Sequence, residues 1–382
     1  APSLHVGSLV PVMGLVHLQR AGHRPIAVVG GGTGMIGDPS GKSQERPLSN
    51  GEVVAANAAA LRKQLERFLD FTGPTAARMV DNAEWLLDLR AVDFMRDVGK
   101  HFSVNVMLQK ESVKGRMEAG ISFTEFSYML LQAYDFLELH RRYGTTLQMG
   151  GSDQWGNITA GIELIRRTMA AEAHAITFPL VATAAGTKFG KTEAGAVWLD
   201  AKLTSPYKFY QFWINADDRD VGRYLRFFTL LPREQVDSLD ASTKSNPERR
   251  EAQRALAREV TTRVHGSSAV TAAEEVSGLL FGGADPSTLS VAAVSALRDE
   301  IPFYTATSLT DPQALLDAAT GDSAALFKSK GDAKRMVQQG GVYLNGIRVD
   351  DSVKTVRPLH GKYVLLRKGA KNYALIGSAG SV

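Results

Sequence analysis

Gly150-Gly151-Ser152-Asp153-Gln154-Trp155-Gly156-Asn157 is the stretch on which the fold turns. Thr146-Leu147-Gln148-Met149 runs into it as a short strand, and Ile158 to Met169 leaves it with helical spacing. A glycine pair between strand and helix delivers an Asp and a Gln at a strand end. In open α/β sheets the carboxyl ends of strands are where ligands bind. About one α/β unit downstream stands Lys188-Phe189-Gly190-Lys191-Thr192, a loop with two lysines flanking a glycine.

The same alternation extends upstream. Ile26-Ala27-Val28-Val29 reads as a buried parallel strand ending in Gly30-Gly31-Gly32. Glu52 to Phe71 has helical spacing, Ala77 to Asn82 reads as a strand, and Phe126 to His140 as an amphipathic helix. Strands alternating with helices predict a doubly wound parallel sheet. After Trp198-Leu199-Asp200 the pattern changes. Ser205 to Leu231 and Asn246 to His265 are helix-like without a strand signal, Gly282 to Ser290 breaks the pattern, and a linker-like region runs to about Thr320. From Ala324 a compact unit begins with a helix, followed by Val342 to Val349, where Asn345-Gly346 between alternating residues signals a hairpin. The expected division is a catalytic α/β domain over 1–204, a helical domain over 205–310, a linker over 311–322 and a small α+β domain over 323–382.

A chain of 382 residues is too long for one core, which agrees with several domains. The absence of Cys excludes disulfides and thiolate metal sites and fits a reducing cytoplasm. No apolar run reaches membrane length, and Ala1-Pro2-Ser3-Leu4 does not open a signal peptide. Residues 323–382 hold 11 Lys/Arg and 3 Asp/Glu, net +8, in a chain of net +4. A basic tail on a slightly acidic body points to a polyanion-binding module, here RNA, with a basic face kept for solubility as the alternative.

The polar loops suit nucleotide chemistry. Gly30 to Gly37 lets a backbone approach a ligand closely, with Asp38 at its edge. A glycine-rich turn would explain this piece alone. Lys42, Arg46, Lys188 and Lys191 are solvated surface residues if taken singly. As a set they are the cations that a departing pyrophosphate needs, because its negative charge grows in the transition state. His5 and Gly7 stand before the helix-like Leu9 to Gln19, a setting that favours phosphate. Asp153, after two glycines, suits a ribose diol. Tyr128, Gln132 and Asp135 fall at i, i+4 and i+7 on one helical face, a pocket for an amino acid in which Asp135 accepts from a phenol. A partly buried polar face pairing with its neighbours is the alternative.

Several longer motifs carry a resemblance: Gly31-x-Thr33-Gly34-x-Ile36-Gly37-Asp38-Pro39-Ser40-Gly41-Lys42, Lys100 to Asn105, Phe123 to Asp135, Gly150 to Asn157 and Gly186 to Thr192. In these the chain resembles the bacterial tyrosyl-tRNA synthetases over essentially its whole length. Lys188 to Thr192 looks like the second class I signature, His5-Val6-Gly7-Ser8 like the first, and the tail like a small RNA-binding fold shared with a ribosomal protein. The resemblance implies a Rossmann-like class I catalytic domain. It implies attack of tyrosine on the α-phosphorus of ATP, brought with Mg²⁺, and transfer of tyrosine to the terminal ribose of tRNA(Tyr). By the same likeness Asp38, Asn82, Tyr128 and Gln132 hold the tyrosine, mainly its ammonium end. Asp135 takes the phenol, and Gln154 lies near the tyrosine carboxylate. Gly151 and Asp153 meet the ribose. His5 stabilises the pentacovalent phosphorus, and Lys42, Arg46, Lys188, Lys191 and Thr192 stabilise the pyrophosphate. No protein-bound metal is implied. A homodimer bridged by tRNA is implied, with Lys328, Lys330, Lys334, Arg335, Arg348 and Arg367 as candidate RNA contacts.

Two departures stand out. Ser8 occupies the place where the family usually has a second His. The family also has a strand before His5 whose Tyr and Asp complete the amino-acid pocket, so a segment upstream of Ala1 is expected. These departures keep in view an RNA-binding or splicing-type protein on a degenerate synthetase scaffold. The tryptophan-activating relative is a further alternative, against which the Tyr128, Gln132 and Asp135 set and the basic tail both count.

Overall fold

The computed structural model describes residues 2–40, 51–117, 120–187, 189–192, 195–321 and 325–378. The chain divides into two compact units, residues 1–203 with 217–252, and residues 204–216 with 253–382.

Among the described residues the first unit carries six strands: β1 (Ile26–Val29), β2 (Arg78–Asp81), β3 (Leu147–Gly151), β4 (His174–Phe178), β5 (Lys191–Thr192) and β6 (Gly195–Ala196). β1 and β2 pair in parallel, with Val28 opposite Val80, and β3 and β4 pair in parallel, with Met149 opposite Ile176. The Gly51–Leu65 helix lies in the β1–β2 crossover and the Trp155–Met169 helix in the β3–β4 crossover, as the alternation predicts. The two pairs are separate sheets, yet β1 (Ile26, Ala27, Val28) and β3 (Leu147, Gln148, Met149) line one cavity of about 940 Å³.

The longest helix among the described residues, Phe123–Tyr143, starts where the Ser122 side chain accepts from Glu125 N and stops at Gly144 in the left-handed region. Its apolar face, with Met129, Ala133, Phe136 and Leu137, packs with Ala160, Leu164 and Ile165 of the Trp155–Met169 helix. Gly161 lets the two helices approach, because a Cβ there would stand 3.0 Å from the Phe136 ring. Burying Phe136 completely contributes about 1.5–3 kcal/mol. The register of this core decides which polar residues of the same helix, Tyr128, Gln132 and Asp135, meet the cavity.

The second unit combines helices with a five-stranded sheet. The Pro206–Ile214, Ser267–Gly282 and Val291–Arg298 helices bury Phe209, Trp213, Val276 and Leu297. The strands are β7 (Phe303–Ala306), β8 (Val342–Leu344), β9 (Ile347–Arg348), β10 (Tyr363–Lys368) and β11 (Asn372–Ser378), in the order β7-β11-β10-β8-β9. The β8–β9 turn is the expected hairpin, with Asn345 at φ 47° and Gly346 at φ 83°. The Pro312–Ala318 and Lys330–Gln338 helices cover the sheet face made by Val364, Leu366 and Ile376.

The stretch read as linker differs from that reading. β7 pairs in parallel with β11, Leu375 opposite Phe303, and Asp311 caps the Pro312–Ala318 helix by accepting from Gln313 N. β7 has only four residues, and its partner lies about seventy residues away, so no local pattern announces it. Among the described residues no helix is long and apolar enough to cross a membrane.

Candidate active site

The two sequence signatures meet in the first unit. Val6 N donates to Val197 O at 2.9 Å and Leu199 N donates to Leu4 O at 2.9 Å, so residues 4–6 run antiparallel against 197–199. The His5 ring stands edge-on to Trp198 with centroids 6.0 Å apart. Gly190, at φ 79°, lies against the same segment; a Cβ there would come within 2.7 Å of Val6 and 3.3 Å of Gly7 N. Gly7 and Ser8 lie in the single turn that leads into the Leu9–Arg20 helix. Lys191 and Thr192 form β5, and the Lys191 side chain is exposed. Lys42, Arg46 and Lys188 lie outside the described residues.

A chain of amides and carboxylates follows the end of β3. Gly151 precedes a tight turn, and a Cβ on it would come within 2.4 Å of the Asp153 carboxylate. Gln154 Nε2 donates to Asp38 Oδ2 at 2.6 Å and to Asp153 Oδ2 at 3.2 Å. Asp38 Oδ1 accepts from Ser40 N at 2.9 Å. Asn157, 2% exposed, donates to Gln132 Oε1 at 2.9 Å and to Gln154 Oε1 at 3.4 Å. Asp38, Gln132, Asp153 and Gln154 thus form one hydrogen-bonded set, joined through Asn157.

Asp135 lies deeper, 5% exposed. Its Oδ2 accepts from Asn82 Nδ2 at 2.9 Å and its Oδ1 from the Trp85 indole N–H at 2.8 Å. Burial drives its carboxyl up to about 7, and the bonds from Asn82 and Trp85 hold it lower than burial alone would. Asn82 is itself held, donating to Thr33 Oγ1 at 2.8 Å and accepting from Gly32 N at 2.8 Å. The Asn82 amide is thus engaged by Gly32, Thr33 and Asp135, and Asn82 also lines the cavity. Tyr128, Gln132, Asp135, Asn82 and Gln154 all line the same cavity, and Ser8 stands on its wall.

Trp85, Thr33 and Asn157 escaped the sequence reading. Trp85 follows Asn82 by one short helical turn, Ala83–Leu86, which turns both donors toward Asp135. Asn157 closes the Gly150 motif, but nothing local reveals that it bridges Gln132 and Gln154. Among the described residues no cluster of His, Cys, Asp or Glu could hold a metal ion.

The arrangement is a cavity of mixed polar and apolar lining that includes a buried carboxylate, and Ser8 of the first signature stands on its wall. Residues 1–282 match the family described as tRNA synthetases class I (W and Y), and residues 294–376 match the tyrosine–tRNA ligase SYY-like C-terminal domain. The tyrosine–tRNA ligase of Roseiflexus castenholzii is 54% identical over 98% of this chain and 90% of its own length. The chain belongs to the tyrosine–tRNA ligases. The enzyme of Geobacillus stearothermophilus is 50% identical, again over 98% of this chain and 90% of its own length. A C-terminally truncated mitochondrial tyrosyl-tRNA synthetase of Aspergillus nidulans superposes with a TM-score of 0.65 at 31% identity, covering 74% of this chain and 83% of that one. A tyrosine–tRNA ligase activates tyrosine with ATP and transfers it to tRNA, so ATP, tyrosine and tRNA are the substrates. The tryptophan-activating alternative and the degenerate-scaffold alternative yield to this family assignment.

In the second unit the candidate RNA contacts are distributed unevenly. Lys330 pairs with Asp317 at 2.7 Å and Arg335 with Asp332 at 2.7 Å. The Arg367 guanidinium lies 4.0 Å from the centroid of the Tyr343 ring, and Arg348 sits opposite Tyr343 on β9. Lys328 and Lys334 are exposed.

Proposed function

We propose that tyrosine binds in the cavity with its phenol against Asp135 and its ammonium group near Asp38, Tyr128 and Gln132. Asp135 carries the specificity: its two oxygens take one hydrogen bond each from Asn82 and Trp85, leaving acceptor capacity for the phenol hydroxyl. Phenylalanine would leave that buried group without a substrate partner, which penalises its binding. Gln154 lies near the tyrosine carboxylate, and Gly151 and Asp153 meet the adenosine ribose. Asn82 acts through Asp135.

The tyrosine carboxylate oxygen attacks the α-phosphorus of MgATP in line, and pyrophosphate leaves. The nucleophile is already ionised, so no side chain has to remove a proton. Catalysis rests on alignment and on charge that awaits the transition state. His5 faces the α-phosphate and Gly7 lets the adenine approach, while Lys42, Arg46, Lys188, Lys191 and Thr192 stabilise the departing pyrophosphate. The joining of residues 4–7 with 190 and 197–199 supports this assignment, since it sets both signatures on one wall.

A division of labour among a catalytic part (1–204), a helical part (205–310) and a basic tail (323–382) is proposed, the last for RNA; within 311–322, expected as a linker, the Pro312–Ala318 helix packs on the sheet of that tail. Lys328, Lys330, Lys334, Arg335, Arg348 and Arg367 are its proposed phosphate contacts. Cytoplasmic action is proposed on the lack of cysteine. A homodimer is proposed on the exposed apolar side chains of Val104, Val106, Met117 and Phe123; light scattering should give twice the 41.3 kDa of the chain.

The observation that carries the reading of the pocket is the buried Asp135 at the end of a cavity lined by Tyr128, Gln132 and Gln154. Tyrosine-dependent ATP–pyrophosphate exchange tests it. Asp135→Ala should lose tyrosine affinity and discrimination against phenylalanine together, and unchanged discrimination would overturn the assignment.

A further inference from the structure

The loop that carries Lys191 has a root, and a helix that does not line the tyrosine cavity grips that root. Residues 181–187 form a turn that Phe189 closes. Gly186 N donates to Thr183 O at 2.8 Å, the Thr183 and Thr187 hydroxyls lie 2.7 Å apart, and Phe189 N donates to Val181 O at 3.1 Å. The Asp218–Phe228 helix holds this turn at three points. Asp220, 3% exposed, accepts from Ala184 N at 2.8 Å. Arg223 donates to Ala182 O at 2.7 Å and to Asp220 Oδ1 at 2.6 Å. The Phe189 ring, 4% exposed, stacks on Phe228 at 5.2 Å with 12° between planes and leans on Tyr224 at 4.8 Å. The next residue, Gly190, abuts Val6 and Gly7, and Lys191 follows.

We infer that Asp220 and Arg223, with Phe189 seated on Tyr224 and Phe228, are positioning residues that fix the lysine loop at the height from which Lys191 reaches the departing pyrophosphate. The inference rests on the proposed role of Lys191. Its physical content is that a cation stabilises growing charge only if it is placed before the charge appears. Asp220 also suits the first turn of its own helix, where a carboxylate is favoured. That alone does not explain why one oxygen turns out to Ala184 N, or why Arg223 reaches Ala182 O. A purely structural role predicts a loss of folding stability with no preference among the reaction steps.

The test uses the full chain and two readouts: single-turnover formation of tyrosyl-adenylate with MgATP, and tyrosine binding by equilibrium dialysis without ATP. Asp220→Ala and Arg223→Gln should each slow adenylate formation about ten- to a hundredfold while tyrosine affinity stays within about twofold. Asp220→Asn keeps an acceptor for Ala184 N and should recover much of the rate. Arg223 is 44% exposed, so its variant carries the test if Asp220→Ala does not fold. The Asp220→Ala/Lys191→Ala double variant should be little slower than Lys191→Ala, since residues acting as a unit are non-additive. Wild-type rates in the Asp220 and Arg223 variants, fully multiplicative losses, or tyrosine affinity falling in step with the rate would each overturn the inference. If Lys191→Ala itself forms adenylate normally, the loop assignment falls. If Lys191→Ala is slow and the Asp220 and Arg223 variants are not, the positioning role alone falls.

Discussion

The indole N–H of Trp85 donates to Asp135 Oδ1 at 2.8 Å, and this bond links a residue of a short helix to the buried carboxylate that lines the candidate cavity. With Asn82 on the other oxygen, it fixes the plane of the carboxylate proposed to meet the phenol. Trp85→Phe keeps most of the ring and removes the donor. Losing a hydrogen bond to a buried charged acceptor costs about 1–3 kcal/mol, so tyrosine affinity should fall about tenfold or more. Equilibrium dialysis measures it, and an unchanged constant would show that the indole does not orient the carboxylate.

The same carboxylate makes stability depend on pH. Burial raises Asp135 to about 7 from an ordinary 3.8, against the pull of Asn82 and Trp85. The unfolded chain therefore releases this proton first, and the folded state loses stability as pH rises from about 4 to about 7. Beyond that both states are ionised. The loss is about 1.4 kcal/mol per pH unit, and roughly 4 kcal/mol in all for the ligand-free protein. Asp135→Asn removes the effect, so the stability of the variant relative to wild type should rise by several kcal/mol over this range. Urea denaturation at pH 4.5 and 8 checks it, and a constant difference would contradict the buried-carboxyl account.

Asn157 supplies one amide group to two glutamines that line the cavity, Gln132 and Gln154. Asn157→Ala leaves their acceptor oxygens without it. The expected cost is about 1–2 kcal/mol, seen as a five- to thirtyfold fall in kcat/KM for tyrosine, with a smaller change in KM for ATP. Equal changes for both substrates would place Asn157 in general support of the fold.

The basic tail predicts a salt signature. Lys334 is exposed on the Lys330–Gln338 helix, whereas Lys330 on the same helix already pairs with Asp317. If Lys334 meets a phosphate, Lys334→Ala should reduce the log–log slope of tRNA affinity against salt by about 0.7–0.9. Filter binding at several salt concentrations reads the slope, and an unaltered slope would remove Lys334 from the interface.

Much of this protein is written locally. The strand–glycine–helix passage through Gly150 and Gly151, the hairpin at Asn345-Gly346 and the i, i+4, i+7 spacing of Tyr128, Gln132 and Asp135 depend on backbone conformation and periodicity. Both are properties of neighbouring residues, so the α/β class, the basic tail and the shared face of the pocket residues were legible in the sequence. What joins distant segments was not. β7 becomes a strand only by pairing with β11, and residues 4–6 meet 197–199 across nearly the whole catalytic part. Asn82 meets Asp135 and Thr33, contacts that no spacing announces, and Trp85 entered the site without any motif. The physical reason is that a buried donor takes whichever acceptor the packed core brings within about 3 Å. Core packing sets that proximity, and helical spacing and strand alternation carry no record of it.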